Sequence, residues 1–187
     1  MTSLDQDYFE RIYAKGDDPW GFETAWYERR KQALTMALLP KDRYQRVFEP
    51  GCASGELTKM VSARADQVVA LEMMPRIAAR ATQRLSDLPN VEVRTGAIPD
   101  GWPDLRFDLV LLSEVVYYLD LSDLARLAKL IDQTLLPGGD VVAVHYLGET
   151  DYPLKGSQVN CLLQEHLGYK TFATYVEHDF SAMVLQR

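Results

Sequence analysis

Two cysteines, three histidines and no run of about 18 apolar residues occur in the 187-residue chain. Each scarcity excludes something. Cys52 and Cys161 lie about a hundred residues apart with no C-x-x-C spacing, so they build neither a disulfide framework nor a thiolate metal site. Free thiols in a reducing compartment are expected. The opening MTSLDQDYFERIYAKGDDPW sets Asp5, Asp7 and Glu10 where a secretory signal needs an unbroken apolar core, so a cytoplasmic location is expected, with no membrane partner. Basic runs are also lacking: lysines and arginines are scattered, and the net charge is -7. Affinity for a phosphate backbone comes chiefly from clustered cations, so nucleic acid is not the expected partner. No His, Cys and carboxylate cluster has metal spacing, no internal repeat is visible, and no low-complexity tract interrupts the chain.

What is present is a chain 47% hydrophobic and 25% charged, which fits one compact domain over residues 1–187. Helical spacing covers Leu4 to Ala14 and Trp26 to Leu39, broken by Gly16-Asp17-Asp18-Pro19. From Arg46 the pattern becomes strand (to Glu49), turn, helix (Gly55 to Arg64), strand (Gln67 to Glu72), then a helix opened by Pro75 and running from Arg76 to Leu85. Val91 to Thr95 is a further strand. Pro99, Gly101 and Pro103 shorten or remove the helix expected over Gly96 to Arg106. Phe107 to Leu112 is an apolar strand, Leu121 to Leu135 a helix, Pro137-Gly138-Gly139 a stop, and Val141 to His145 a fifth strand. A helix over Gln158 to Leu167 precedes two strands, Tyr169 to Glu177 and Phe180 to Gln186, that suit an antiparallel hairpin. Apolar runs without alternation indicate strands covered on both faces. The fold class expected is α/β: a Rossmann-like, doubly wound, mostly parallel seven-stranded sheet with a C-terminal hairpin.

In such a sheet the first strand-to-helix turn anchors the ligand. Here it reads Glu49-Pro50-Gly51-Cys52-Ala53-Ser54-Gly55. A dinucleotide fingerprint, G-x-G-x-x-G, would need glycine where Ala53 and Thr58 stand, so pyrophosphate binding loses support. Glu49 beside the ligand would repel a phosphate and suit an ammonium or sulfonium. About twenty residues on, Glu72 ends the second strand, where an acid can accept two hydrogen bonds from ribose hydroxyls. An ordinary tight turn and a solvated strand end are the plain alternatives for these residues.

The segments EPGCASGELT, LEMMPRIAARA, FDLVLLSEVVYYL and LLPGGDVVAVH resemble class I S-adenosylmethionine-dependent methyltransferases, and DDPWGFETAWYERRK resembles the NodS-type N-methyltransferase family. The resemblance implies S-adenosyl-L-methionine as cofactor, a small-molecule acceptor, and three regions: a helical cap (1–40), a cofactor-binding core (41–145), and a substrate loop with hairpin (146–187). It places Glu49, Gly51, Cys52, Ala53 and Gly55 around the methionine part, Glu72 and Met73 at ribose and adenine, Ala97 and Ile98 along the adenine edge, and Ser113 in the same cofactor set. Many family members carry an acid where Ala97 stands, so that hydrogen bond passes to backbone or is absent. Trp20, Tyr27 and Lys31 map to the lid, the aromatics over the sulfonium or packed on the core, the lysine meeting the methionine carboxylate or solvated.

Methyl transfer from a sulfonium is an in-line displacement, in which alignment alone supplies up to about 7–11 kcal/mol. An amine of pKa ~8 costs roughly 1.4 kcal/mol to neutralise at pH 7 and a hydroxyl near 15.7 about 12 kcal/mol, so an amine asks little of a base. Glu114 and Tyr118 after the fourth strand, beside Tyr117, and His145 ending the fifth are the candidate catalytic or acceptor-positioning groups, each open to a purely structural role. Related sequences often have histidine where Asn160 stands, and its loss places more weight on His145 or implies a different acceptor. The expected reaction is N-methylation of a small amine such as an amino sugar. The rivals are O-methylation of a phenol or carboxylic acid, a catalytically silent cofactor-binding domain, and a dehydrogenase on the same fold. Monomer and homodimer are both open.

Overall fold

Successive side chains of a strand point to opposite faces, so a sheet covered on both sides must be apolar at nearly every position. In the computed structural model, which describes residues 2–187, the elements run α1 (Gln6–Tyr13), α2 (Trp26–Leu38), β1 (Tyr44–Pro50), α3 (Glu56–Ser62), β2 (Ala65–Glu72), α4 (Pro75–Arg84), β3 (Val91–Thr95), β4 (Phe107–Ser113), α5 (Leu121–Thr134), β5 (Leu135–Tyr146), α6 (Gly156–Leu167), β6 (Lys170–Val176) and β7 (Phe180–Gln186), with one 3-10 turn at Val116–Tyr118. The sheet order is β3-β2-β1-β4-β5-β7-β6. The first five are parallel, and β7 lies antiparallel to both β5 and β6. The α/β, doubly wound expectation holds, hairpin included.

Alternation along the strands feeds two cores. Phe48, Val110, Leu112, Val141, Ala143 and Leu185 face Leu124, Leu127 and Ile131 of α5 and Val159 and Leu163 of α6. Their neighbours Val47, Leu109, Leu111, Val142, Val144 and Val184 face Leu57 and Val61 of α3 and Leu34 and Leu38 of α2. No helix is formed over Gly96 to Arg106: the Gly101 N–H closes a turn on the Ala97 carbonyl at 2.6 Å. Trp102 takes the helix's place, its ring 4.7 Å from that of Phe48 and its Nε1 donating to Thr134 Oγ1 at 3.1 Å.

Two boundaries differ from expectation. Pro137-Gly138-Gly139 does not separate helix from strand, because β5 begins at Leu135. The register shifts between Leu135, opposite Phe107, and Asp140, opposite Leu109, so the Pro-Gly-Gly segment bulges out of a strand already begun. The connection after β5 is likewise shorter, α6 starting at Gly156.

The N-terminal cap is fastened by local chemistry. Asp18 accepts from the N–H groups of Phe22 and Glu23 at 2.7 and 3.0 Å, closing the turn that breaks the helical pattern. Arg76, Arg80 and Arg84, one turn apart on α4, pair with Asp17 and Glu23 of the cap and with Glu56 of α3. The end of α2 has no basic residue in its last turn. Arg64 meets the helix end instead, donating to Met36 O at 2.7 Å and Leu39 O at 3.3 Å, and it ties down the loop that follows through Asp42 O at 3.1 Å and Lys41 O. Arg64→Ala is expected to cost about 2 kcal/mol, a fall of roughly 4–8 °C in Tm by scanning calorimetry. Arg64→Lys should recover only part, since a point donor reaches fewer carbonyls than the guanidinium fork. An unchanged Tm in Arg64→Ala would remove this role.

Candidate functional site

Between β1 and β4 the strand order reverses, and ligands of open α/β sheets bind outside the carboxyl ends of the strands at that point. A cleft opens there, lined from both the sheet and the N-terminal cap. Its floor is the β1–α3 turn. Gly51, Ala53 and Gly55 all have left-handed backbone, with φ of 74°, 46° and 84°. The N–H groups of Gly51 and Cys52 tie the turn to Leu71 O at 2.7 and 3.1 Å. Gly55 is a spacer: a Cβ there would lie 2.7 Å from Leu85 Cδ1, and the residue packs against the end of α4 without lining the cleft.

The two acids read from the sequence stand on either side of this turn. Glu72 Oε2 accepts from the Ala53 N–H at 3.0 Å and Oε1 from the Met74 N–H at 2.9 Å, so one carboxylate braces two turns. Burial raises its pKa, and these backbone donors oppose the shift. Glu49 is less well served. Its Oε2 is buried without a hydrogen-bond partner, as are Ser54 Oγ and Thr58 Oγ1 beyond it in the turn and helix. Burial pushes the Glu49 carboxyl up to about 7.

Across the cleft, β4 ends in Ser113 and Glu114, the latter held at φ 57°, outside the usual range for a side chain of its kind. Three donors fix it: Lys31 Nζ at 2.9 Å, the Tyr146 N–H at 3.2 Å, and the Tyr117 hydroxyl. Lys31 also donates to Glu28 Oε1 at 2.9 Å. It is only 3% exposed, so the solvated alternative for Lys31 fails. Tyr118 lines the cleft within an aromatic group, its ring 5.0 Å from Phe9, 4.7 Å from Tyr117 and 4.8 Å from Tyr152. Trp20 lines it too, edge-on to Tyr13 at 5.3 Å. Met73, Ala97 and Ile98 complete the wall near Glu72.

Two residues singled out from the sequence lie behind the cleft wall. Tyr27 packs edge-on to Phe180 at 6.2 Å with the Lys31 ammonium 4.9 Å from its ring, so it supports the lysine from outside. His145 is fully buried, its ring 5.3 Å from Tyr117 and its Nδ1 3.1 Å from Asn160 Oδ1. Burial lowers its pKa to about 4, leaving a neutral imidazole at pH 7. Tyr117 links it to Glu114, and no part of it lines the cleft. Sequence reasoning missed Glu28, Gln32, Phe9 and Tyr13, all lining residues. The spacing of Glu28 and Lys31, one helical turn apart, was the available signal for the first.

The ionic balance of the lining is lopsided: Glu28, Glu49, Glu56, Glu72 and Glu114 against Lys31 alone. Among the described residues no group of His, Cys, Asp and Glu could hold a metal ion, and no helix is long and apolar enough to cross a membrane.

The family profile of nodulation protein S, NodS, matches residues 5–142. The chain belongs to the NodS family. Nodulation protein S of Rhizobium tropici is 25% identical over 128 residues, covering 67% of this chain and 54% of that protein, so the chain spans about half the length of that relative. A crystallised methyltransferase candidate from Pseudomonas syringae is 39% identical, with 87% of this chain and 100% of that one covered and a TM-score of 0.78. The N-methyltransferase NodS of Bradyrhizobium japonicum WM9, crystallised with S-adenosyl-L-homocysteine, superposes with a TM-score of 0.85 over 97% of both chains at 22% identity, which shows a shared fold. By family this chain is NodS-like, and its fold is that of the class I methyltransferases, whose methyl donor is S-adenosylmethionine. The site fits that molecule: the unpartnered oxygen of Glu49 and the acid excess suit its cationic methionine end, and the lining holds no arginine for a pyrophosphate.

Raised in the folded protein, the Glu49 carboxyl makes stability fall as pH rises from its ordinary range near 4.5 to about 7, by as much as about 3 kcal/mol, and level off above. Glu49→Gln removes that buried charge. Its Tm should therefore exceed that of the ligand-free wild type at pH 8 by more than at pH 5, while its affinity for S-adenosylmethionine by calorimetry falls. Equal Tm differences at both pH values would contradict this reading of Glu49.

Proposed function

We propose that the chain transfers the methyl group of S-adenosylmethionine to the nitrogen of a small amine-bearing acceptor such as an amino sugar. The observation that carries this is the charge of the cleft: with Glu56 paired to Arg84, Glu28, Glu49, Glu72 and Glu114 still face the single ammonium of Lys31. Such a lining favours a cationic acceptor beside a cationic cofactor and opposes a carboxylic acid, which would add a further anion. The N-methyltransferase named for the Bradyrhizobium fold relative supports the same element.

The cofactor supplies an activated methyl on sulfur, which an acceptor lone pair takes in line as the carbon–sulfur bond breaks. In the proposed arrangement Glu49, Gly51, Cys52 and Ala53 surround the methionine part. A carboxylate offers about four lone-pair sites, and Glu72 uses two on backbone N–H groups, leaving two for a ribose diol. Met73, Ala97 and Ile98 flank the adenine, with Ser113 beside the methionine part. Lys31 spends two of its three N–H donors on carboxylates, and the third is left for the methionine carboxylate. Trp20 covers the sulfonium. Glu114 and Tyr118 face the acceptor. His145 acts through Tyr117, whose hydroxyl meets Glu114, and serves as a positioning group in place of a base.

Incubation with methyl-labelled cofactor and glucosamine, N-acetylglucosamine, phenol or benzoate tests the assignment. Label should appear on the nitrogen of glucosamine and not on its acetylated form, in which the amine is no longer basic. Label only on phenol or benzoate would replace the proposal with O-methylation, and cofactor binding without product in any arm would favour a silent binding domain.

A further inference from the structure

The lid side of the cleft carries a charge that the cofactor, as placed above, does not answer. Glu28 and Glu114 share one cation, the ammonium of Lys31, and all three side chains are largely withdrawn from water. Glu114 is saturated: one oxygen meets Lys31, and the other meets Tyr117 and the Tyr146 N–H. Glu28 is not. It is 5% exposed and lines the cleft, yet only Oε1 is bonded, to Lys31. Its Oε2 is buried and has no hydrogen-bond partner. An unmet carboxylate oxygen is expensive to bury, and a donor that also brings positive charge would satisfy it most fully. The cofactor's own cationic groups are assigned to Glu49, where a second unmet oxygen waits.

We propose that Glu28 receives the ammonium group of the acceptor and takes its proton before methyl transfer. The inference rests on the amine reading of the function. The acceptor enters as R–NH3+ and hydrogen-bonds to Oε2, which gives the Glu28 and Glu114 pair a second cation besides Lys31. One N–H proton passes to the Glu28 carboxylate, leaving R–NH2. The nitrogen lone pair forms the N–CH3 bond while the S–CH3 bond breaks and the sulfonium becomes a thioether. The product is a secondary ammonium, R–NH2–CH3+, and Glu28 returns its proton to solvent as the product departs. Lys31 and Glu114 hold the carboxylate in place throughout.

Two measurements separate the inference from the reading beneath it. Product analysis on wild-type protein with glucosamine reports whether any amine is methylated. Calorimetric titration of glucosamine into protein saturated with S-adenosylhomocysteine reports the amine site itself. Glu28→Gln should weaken glucosamine binding by at least about 30-fold, since a buried charge pair loses one partner. Glu28→Asp, which keeps the charge, should recover much of the binding. A wild-type circular dichroism spectrum and a cooperative thermal transition show that each variant is folded. Wild-type binding that depends on Glu28 without methyl transfer keeps the site and overturns the amine reading. Methylation and binding that Glu28→Gln leaves unchanged keep the reading and overturn the site. Loss of S-adenosylhomocysteine affinity in folded Glu28→Gln, or absence of any glucosamine binding by wild type, also overturns the site.

Discussion

One buried ammonium joins the cap to the sheet. Lys31 projects from α2 and reaches Glu114 at the end of β4, with Glu28 closing the contact from its own helix. A charge hidden from water is tolerable only when paired and hydrogen-bonded, and removing one member of such a group costs several kcal/mol. The contact therefore sets where the cap can sit. It also explains the left-handed backbone of Glu114: the three donors converging on its carboxylate offset the conformational cost of holding it there. Tyr117, His145 and Asn160 continue the network inward, so the strand ends of β4 and β5 are locked to one geometry behind the cleft wall.

The same region shows stability set against ligand recognition. Glu49, Ser54 and Thr58 keep buried oxygens without partners in the ligand-free protein. A carboxyl pushed up to about 7 in that position weakens the fold over the physiological range, and what the protein gains is a negative surface for a cation. Glu72 shows the other solution, an acid whose two bonds to turn backbone hold the turn in shape before any ligand arrives. One acid is left open and the other is braced, near the ends of two adjacent parallel strands.

Much of this was legible in the residues. Near-continuous apolar runs marked the strands because both faces of the sheet are covered, and Val91–Thr95 and Phe180–Gln186 emerge with the boundaries read from the sequence. Strand-end acids and turn glycines were readable because their positions are local. What depends on long-range packing was not. His145 lies one residue before the end of its strand, where the sequence pattern places it last, and Tyr117 and α6 close over it, which nothing in the flanking residues signals. Gly55 looks like a ligand-facing glycine until Leu85, thirty residues on, is seen against it. The β5 bulge was hidden because Pro-Gly-Gly is a helix stop and an interruption in a strand alike.

The cap is fastened in two different ways. Lys31 is sealed from solvent, whereas Arg76, Arg80 and Arg84 meet Asp17 and Glu23 at the surface. Dissolved ions screen exposed charges over about 10 Å at 0.1 M and barely touch sealed ones. The segment around Asp17 to Glu23 is thus a clasp and Lys31 a pivot. Ionic strength loosens the clasp while the pivot holds, so the rim bearing Trp20 is the part of the cap that salt frees first.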